Sequence, residues 1–343
     1  MRKRTTLLGA AVAGLIGLLG ATMVTLGGGS TATAAEAATV PIKVITWNIC
    51  GEYTGCPKIS TAAEVNGKRN AIRDLINTHQ ADAILLNETC EWHANSVVQL
   101  LNQAAGRQLW TMSFAVVRQL DDGSGGTGYT AWPGKRTRTC GSAGVKAVVT
   151  PTTTPHALGM AILTKGPHDE TTTYDLPSST TLWSGTHQLL CVRKTAAETT
   201  TGGPVRICAS HFTPSNVTNP DQLRVDQANR VATLISSFGD ERIVFGGDLN
   251  SYPPKSYRTS PVQSATTLQP IYDLMRECEE RFTDDTGRDT ARWTGGSGKL
   301  DYLFARSGGD NPESLTGDCV TGPVTEAAQP NSDHAPVIGA FNL

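Results

Sequence analysis

The residues of this chain that could do chemistry gather where runs of strand-forming residues stop. Ile42 to Trp47 runs into Asn48, Ala83 to Leu86 into Asn87 and Glu88, and Val205 to Ala209 into Ser210 and His211. Arg242 to Phe245 runs into Gly246-Gly247-Asp248-Leu249-Asn250. Two later strands are entered through the same kinds of residue, Leu300-Asp301-Tyr302 and Ser332-Asp333-His334. Acids, amides and imidazoles at several strand ends are what a pocket at the edge of a sheet requires. Glu88, Asp248 and Asp333, with the amides Asn48 and Asn250, are hard oxygen donors that suit Mg²⁺, Mn²⁺ or Ca²⁺ rather than zinc. His211 and His334, beside acids, can exchange protons near neutral pH. These parts together describe hydrolysis of a phosphate ester: a metal neutralises the phosphate, an activated water attacks in line, and a histidine or metal supports the leaving oxygen. Each residue alone has a plainer explanation. Asp248 after two glycines suits a turn, Glu88 suits a helix cap, His211 a strand edge, Asp301 a strand start, and Asp333-His334 a closing loop. The joint arrangement carries the reading.

The elements that must position these residues alternate along the chain. Further strand-like runs are Leu158 to Leu163, Gln188 to Val192, Leu300 to Phe304 and Ala335 to Ala340, several of them nearly continuous in apolar residues, as strands buried on both faces are. Helical periodicity covers Val65 to His79, Ala94 to Ala105 and Pro220 to Phe238, and a further helix is expected over Pro270 to Cys278. This mixture predicts an α/β (α+β) chain rather than an all-β one. Asp121 to Thr154 is rich in Gly, Thr and basic residues and reads as a surface excursion, and Thr171 to Thr173 and Thr199 to Thr201 read as loops. No repeat and no interdomain linker interrupts the pattern, so one domain is expected.

The chain has 343 residues, with 29 Lys and Arg against 31 Asp and Glu, a net charge of −2. This balance excludes an acidic disordered chain, a basic nucleic-acid arm and a coiled coil. Arg2, Lys3 and Arg4 precede an apolar stretch from Leu7 to Leu26, and Ala32-Thr33-Ala34 has the small-x-small form of a cleavage site. Residues 1–34 therefore read as a secretory signal peptide and 35–343 as a single secreted domain, an uncleaved membrane anchor being the alternative. Loss of the three leader cations leaves 26 basic against 31 acidic groups, a net of −5. All 8 cysteines lie beyond the leader, and an even count in an exported chain reads as disulfides. Cys191 and Cys208 flank the turn-rich Thr200-Thr201-Gly202-Gly203, so a hairpin would face them; Cys278 with Cys319 is a second suggestion. No Cys-x2-Cys or His-x3–5-His pair supports a zinc site.

Thr46-Trp47-Asn48, Asn87-Glu88, Ser210-His211-Phe212, Gly247-Asp248-Leu249-Asn250, Leu300-Asp301-Tyr302 and Ser332-Asp333-His334-Ala335-Pro336 occur in this order. The series resembles that of the endonuclease/exonuclease/phosphatase superfamily, whose fold is shared by deoxyribonuclease I, bacterial sphingomyelinases and inositol polyphosphate phosphatases. The resemblance implies a deoxyribonuclease I-like four-layer sandwich, two mixed β-sheets face to face with helices outside, and a divalent-metal phosphodiesterase. It implies Glu88 as principal metal ligand, with Asn48 and Asp333 nearby. His334 resembles the general base, oriented by Asp301. Asp248 and Asn250 resemble the pair that positions the attacking water and the scissile phosphate. His211 resembles the second histidine, which contacts the phosphate or acts as general acid. The family's commoner Gln before the metal-binding Glu is Asn87 here, a change beside the ligand that leaves it in place. The Ser210-His211-Phe212 element differs from the Pro-Asn type of the abasic-site endonuclease branch.

The leading expectation is a secreted nuclease acting on DNA, with RNA beside it and Mg²⁺, or Mn²⁺ or Ca²⁺, as cofactor. Lys135, Arg136 and Arg138 with Tyr129 and Trp132 could follow a phosphate backbone and stack on bases. The net charge argues against tight nonspecific DNA affinity. The alternatives are a sphingomyelinase-like enzyme, with membrane lipid as substrate, and an inositol-phosphate phosphatase. Leu182-Trp183 is the nearest thing to the exposed apolar hairpin that the lipid substrate would require. No obligate protein partner is implied, and a monomer is expected.

Overall fold

The computed structural model describes residues 41–51, 56, 58, 60–120, 129–132, 135–137, 140, 157–178, 186–194, 204–215, 217–253, 267–279, 289–293, 296–307, 319–321 and 331–343; the side chains of 118–120, 129–137, 293 and 319–321 are outside that description. The expected leader, the Leu182-Trp183 segment, Thr199 to Thr201 and the side chains of the basic excursion therefore lie outside the described residues.

In chain order the elements are β1 (Pro41–Asn48), α1 (Ala62–His79), β2 (Ala83–Cys90), α2 (Glu91–Ala105), β3 (Trp110–Val116), β4 (Arg118–Leu120), β5 (Tyr129–Trp132) and β6 (Lys135–Thr137). They continue with β7 (Leu158–Lys165), β8 (Glu170–Asp175), β9 (Gln188–Lys194), β10 (Val205–Ser210), α3 (Pro220–Ser237), β11 (Arg242–Asp248), α4 (Gln269–Tyr272) and β12 (Arg276–Glu277). The last are β13 (Ala291–Trp293), β14 (Gly296–Gly298), β15 (Asp301–Arg306), β16 (Cys319–Thr321) and β17 (Val337–Asn342).

Local sequence explains the helices. Thr61 caps α1 in a reciprocal box with Glu64, and the chain leaves through Gln80 in the left-handed region. Val65, Lys68, Ile72 and Ile76 form its buried stripe. Pro220 opens α3, whose buried residues include Ala228, Val231 and Ile235.

Two sheets follow, in the orders β16-β17-β1-β2-β7-β3 and β12-β15-β11-β10-β9-β8. Each contains one parallel pair, β1 with β2 and β10 with β11, and the crossovers between them are α1 and α3. All other pairs in these sheets are antiparallel. Period-2 alternation sorts the strand residues between two environments. Val44, Leu85, Ile162, Val192, Ile207, Val244 and Leu303 fill the layer between the sheets. Ile45, Ile84 and Leu86 face α1 and α2, whereas Phe245, Phe304 and Leu189 face α3. The result is the expected four-layer sandwich, and residues Ala38–Leu343 pack as one compact unit. Among the described residues no helix is long and apolar enough to cross a membrane.

Three departures from the sequence reading have physical causes. Thr171 to Thr173 are not a loop but part of β8, an edge strand whose β-branched residues favour extended backbone while its exposure erases the apolar signal. Trp110 to Val116 likewise forms the edge strand β3. The helix expected over Pro270 to Cys278 stops after Tyr272, and Arg276–Glu277 pairs with Ala305 and Phe304 instead. Glu277 is drawn there by Lys299, whose buried ammonium lies 3.1 Å from Glu277 and 2.6 Å from Glu279.

Cys191 and Cys208 are directly opposed on β9 and β10 and joined, as the hairpin argument requires. Closing a loop of 17 residues stabilises by about 3 kcal/mol in the chain-entropy account. Cys50–Cys56 and Cys90–Cys140 are also bridged. Cys278 is disulfide-bonded too, and the side chain of Cys319, its expected partner, is outside the description. These bridges fit an oxidising setting.

Two histidines are held as neutral rings, His93 fully buried and His187 half-buried. Burial and the neighbouring Lys68 charge push His93 on α2 down to about 3, and burial and the His211 charge push His187 down to about 4. Both values lie below the unfolded value of about 6.5, so the unfolded chain binds more protons across that interval. Stability should therefore fall as pH drops from about 6.5 toward 3, by up to roughly 1.4 kcal/mol per pH unit for each ring. His93→Leu should flatten this slope, as measured by denaturant unfolding at several pH values; an unaltered slope would exclude His93 as a source.

Candidate active site

β1, β2, β10 and β11 reach one rim of the sandwich through specific devices, and β15 begins there. β1 ends at Asn48, and the next turn is closed by Lys68, whose ammonium donates to the carbonyls of Ile49 at 2.6 Å and Cys50 at 2.7 Å. Lys68 is fully buried, and burial lowers it to about 7 against the pull of Asp333 and Glu88. β2 carries a register shift between Leu86 and Thr89, and Glu88 there has φ +47°. A left-handed glutamate is uncommon and costly. It turns the side chain out of the strand's alternation, and the amide of Gly51 binds the Glu88 carbonyl at 2.8 Å. At Gly51 a Cβ would come within 2.4 Å of that carbonyl, so only glycine fits. Gly247 on β11 is the second such position, with φ +140° and a virtual Cβ 1.8 Å from the Ser210 carbonyl. This lets β10 and β11 converge where His211 and Asp248 emerge.

The side chains meet at Asp248, which is 2% exposed. The amide of Asn48 donates to Asp248 Oδ2 at 3.0 Å and to Glu88 Oε1 at 3.1 Å, while Asn48 Oδ1 accepts from the Cys50 amide at 2.9 Å. His211 Nε2 stands 3.5 Å from Asp248 Oδ2 and 3.9 Å from Glu88 Oε1. His334 Nε2 stands 3.8 Å from the same Asp248 oxygen, and its Nδ1–H donates to Asp301 Oδ2 at 2.7 Å. Asn250, with φ +48°, donates its backbone N–H to Asp248 Oδ1 and its side-chain amide to the Phe212 carbonyl.

Electrostatics follows from this clustering. Burial opposes charge on Asp248, yet the His334 charge and the hydrogen bond and charge of His211, with the Asn48 amide, hold it at about 2. Burial likewise disfavours the charged imidazoles, but Asp301 and Asp248 raise His334 well above its ordinary value. The bond and charge of Asp248, then Glu88, raise His211 against its burial. Burial and the Asp248 charge push Asp301 upward.

The structure thus brings together Asn48, Glu88, His211, Asp248, Asn250, Asp301 and His334. Asp333 is exposed and stands outside the described groups whose ligand atoms lie within 4.8 Å of one another. Those at this rim are Glu88 with His211 and Asp248, and Asp248 with Asp301 and His334. Two carboxylates and a histidine at this spacing fit a hard divalent cation.

Several supporting residues escape the motif reading. The indole of Trp47 donates to the His334 carbonyl at 2.9 Å. Ser332 Oγ donates to the Asn48 carbonyl at 2.6 Å and accepts from the His334 amide at 3.1 Å. His187 Nδ1–H donates to the His211 carbonyl at 2.7 Å, and Tyr302 donates to the Ser251 carbonyl beside Asn250. Lys68 left a trace in the sequence, a cation inside an apolar helical stripe; His187 left none.

Residues 45–323 match the model of the Endonuclease/Exonuclease/phosphatase family. Among solved structures, an endonuclease/exonuclease/phosphatase from Beutenbergia cavernae DSM 12333 is 17% identical with a TM-score of 0.58, covering 89% of this chain and 72% of its own. The human Nocturnin catalytic domain with bound sulfate is 15% identical with a TM-score of 0.57, covering 88% and 93%. D. rerio TDP2 in complex with a single-strand DNA product is 14% identical with a TM-score of 0.57, covering 88% and 99%. These three are likenesses of fold. No curated protein matches the chain. The matched span takes in every motif from Asn48 to Asp301 and most of both sheets, and the chain belongs to the endonuclease/exonuclease/phosphatase family of phosphoric ester hydrolases.

Proposed function

We propose that this protein is a secreted, divalent-metal-dependent phosphodiesterase, an endonuclease that hydrolyses DNA and, beside it, RNA. The observation that carries the reading is the Asp301–His334 pair aimed at Asp248 Oδ2, with His211 near the same oxygen and near Glu88. The single-strand DNA product in the TDP2 structure and the sulfate in the Nocturnin structure support a phosphodiester as the ligand class.

Glu88 and Asp248 are the groups that would hold the cation, and the Asn48 amide ties the two carboxylates together. A bound divalent cation supplies charge that neutralises phosphate oxygens and competes with the imidazoles for the carboxylates. Asp301 accepts from Nδ1–H and so leaves Nε2 of neutral His334 as the acceptor for a proton from the attacking water. Asp248 and Asn250 orient that water opposite the leaving oxygen, and His211 donates to the leaving oxygen or a phosphate oxygen. Export with residues 1–34 removed, a single domain over 35–343 and a monomeric state complete the reading.

The test incubates the full secreted chain with Mg²⁺ and plasmid DNA, RNA, sphingomyelin vesicles or inositol polyphosphate in parallel. Nicked and linear plasmid is the expected product. Intact plasmid beside released phosphocholine or inorganic phosphate would replace the nuclease by a lipid or inositol-phosphate hydrolase.

A further inference from the structure

Asn87 stands where the two sheets meet behind the site. Leu85 lies in the layer between the sheets and Leu86 faces the helices, so strand alternation returns Asn87 to the inner layer. There its side chain is fully buried. Its Oδ1 accepts the backbone N–H of Asp248 at 2.8 Å, and its Nδ2 donates to the carbonyl of Ser210 at 3.1 Å. One amide from the first sheet therefore grips the last residues of two strands in the second. Ser210 precedes His211, and Asp248 carries the carboxylate that His211 approaches at 3.5 Å. The virtual Cβ of Gly247 lies 3.1 Å from Asn87 Oδ1, so the space that glycine leaves open adjoins the amide. Both polar ends of Asn87 are used on backbone groups, which makes it a spacer between fixed points rather than a participant in the reaction.

We propose that Asn87 is a positioning residue that sets the His211–Asp248 separation by clamping the peptide before His211 and the peptide of Asp248. The proposal rests on the phosphodiesterase reading for its kinetic readout, but its structural readout is independent of turnover. Asn87→Leu keeps the branching and the number of side-chain heavy atoms and removes both bonds. It should lower kcat on plasmid DNA by about 10²-fold, the penalty of a reacting group misplaced by about 1 Å, with KM changed less than threefold. Asn87→Gln, which keeps acceptor and donor, should recover at least tenfold of that loss. In the His211→Ala background, Asn87→Leu should cost less than threefold, because groups acting through one another do not add. A purely structural contribution would multiply in full in that background and would overturn the proposal, as would a kcat for Asn87→Leu within threefold of the native value. Crystal structures of the native protein and the variant should show His211 Nε2 and Asp248 Oδ2 further apart in the variant. An unchanged separation refutes the clamp. Where Asn87→Leu does not fold, Asn87→Ser serves the same comparisons. A native protein that cleaves no phosphodiester would defeat the functional reading alone, and the crystallographic separation would still decide the clamp.

Discussion

His334→Ala is expected to lower phosphodiester hydrolysis by about 10³-fold while the protein stays folded. The size of the kinetic loss follows from geometry. His334 Nδ1–H is committed to Asp301 at 2.7 Å, which leaves Nε2 as the ring's proton acceptor, facing Asp248 at 3.8 Å. His211 instead meets its buried carboxylate, Asp248, through Nε2, at 3.5 Å. The fold survives because the loop is held by its main chain. The Trp47 indole binds the His334 carbonyl and Ser332 Oγ accepts the His334 amide, and both bonds persist in alanine. Asp301 loses its partner in a fully buried position, a cost of about 1–3 kcal/mol against a typical total of about 5–15. Burial already pushes Asp301 upward, so it takes a proton more readily once His334 is gone. Asp301→Asn should lose activity to a similar extent by disturbing the tautomer, and the double variant should be no worse than His334→Ala alone. Turnover near the native rate in His334→Ala, measured on plasmid nicking with matched circular dichroism spectra, would remove His334 from the reaction.

What could be read in the chain divides along a physical line. Buried central strands such as Ile42 to Trp47 and Val205 to Ala209 announce themselves, because burial on both faces demands a mostly apolar run, broken here only by Lys43 and Thr46 in the first and Arg206 in the second. The edge strand at Thr171 does not, since one side of it meets solvent and its threonines look like any polar segment. Site residues divide in the same manner. Asp248, Asp301 and His334 are legible because charged and titratable groups recur together at several strand ends, although each alone has a plainer use. Ser332, Trp47 and His187 act through single bonds to backbone carbonyls, and nothing in composition marks a serine or indole that will find a carbonyl nearly 300 residues away. Asn87 is the instructive case. The sequence shows it as a departure beside Glu88, whereas its contacts lie on Asp248 and Ser210, in the opposite sheet. Asn48 and Asp333 also gain definition from structure: the Asn48 amide nitrogen bridges Glu88 and Asp248, and Asp333 is exposed.

Glu88→Gln should raise the Mg²⁺ concentration for half-maximal activity at least tenfold with little change in fold. Glu88 is the right carboxylate to test because it differs from the other two. Asp248 and Asp301 are almost completely buried and already neutralised by His211 and His334, whereas the Glu88 side chain is 32% exposed. A cation arriving from solvent meets it first. The amide oxygen of glutamine still accepts from Asn48 Nδ2, now at 3.1 Å, so the substitution removes charge and one ligand oxygen without opening a cavity. A binding readout separates this role from catalysis. Any ligand that binds only the folded state raises its stability by mass action, so Mg²⁺ should raise the native Tm in proportion to the logarithm of its excess over Kd. In Glu88→Gln that rise should begin only at correspondingly higher Mg²⁺. In His334→Ala it should begin at the native concentration, because His334 groups with Asp248 and Asp301 and not with Glu88. Equal Mg²⁺ response in the native protein and Glu88→Gln would deny Glu88 the ligand role. The two variants then separate the halves of the site, one that gathers the cation and one that moves the proton, which meet only at the Asp248 carboxylate.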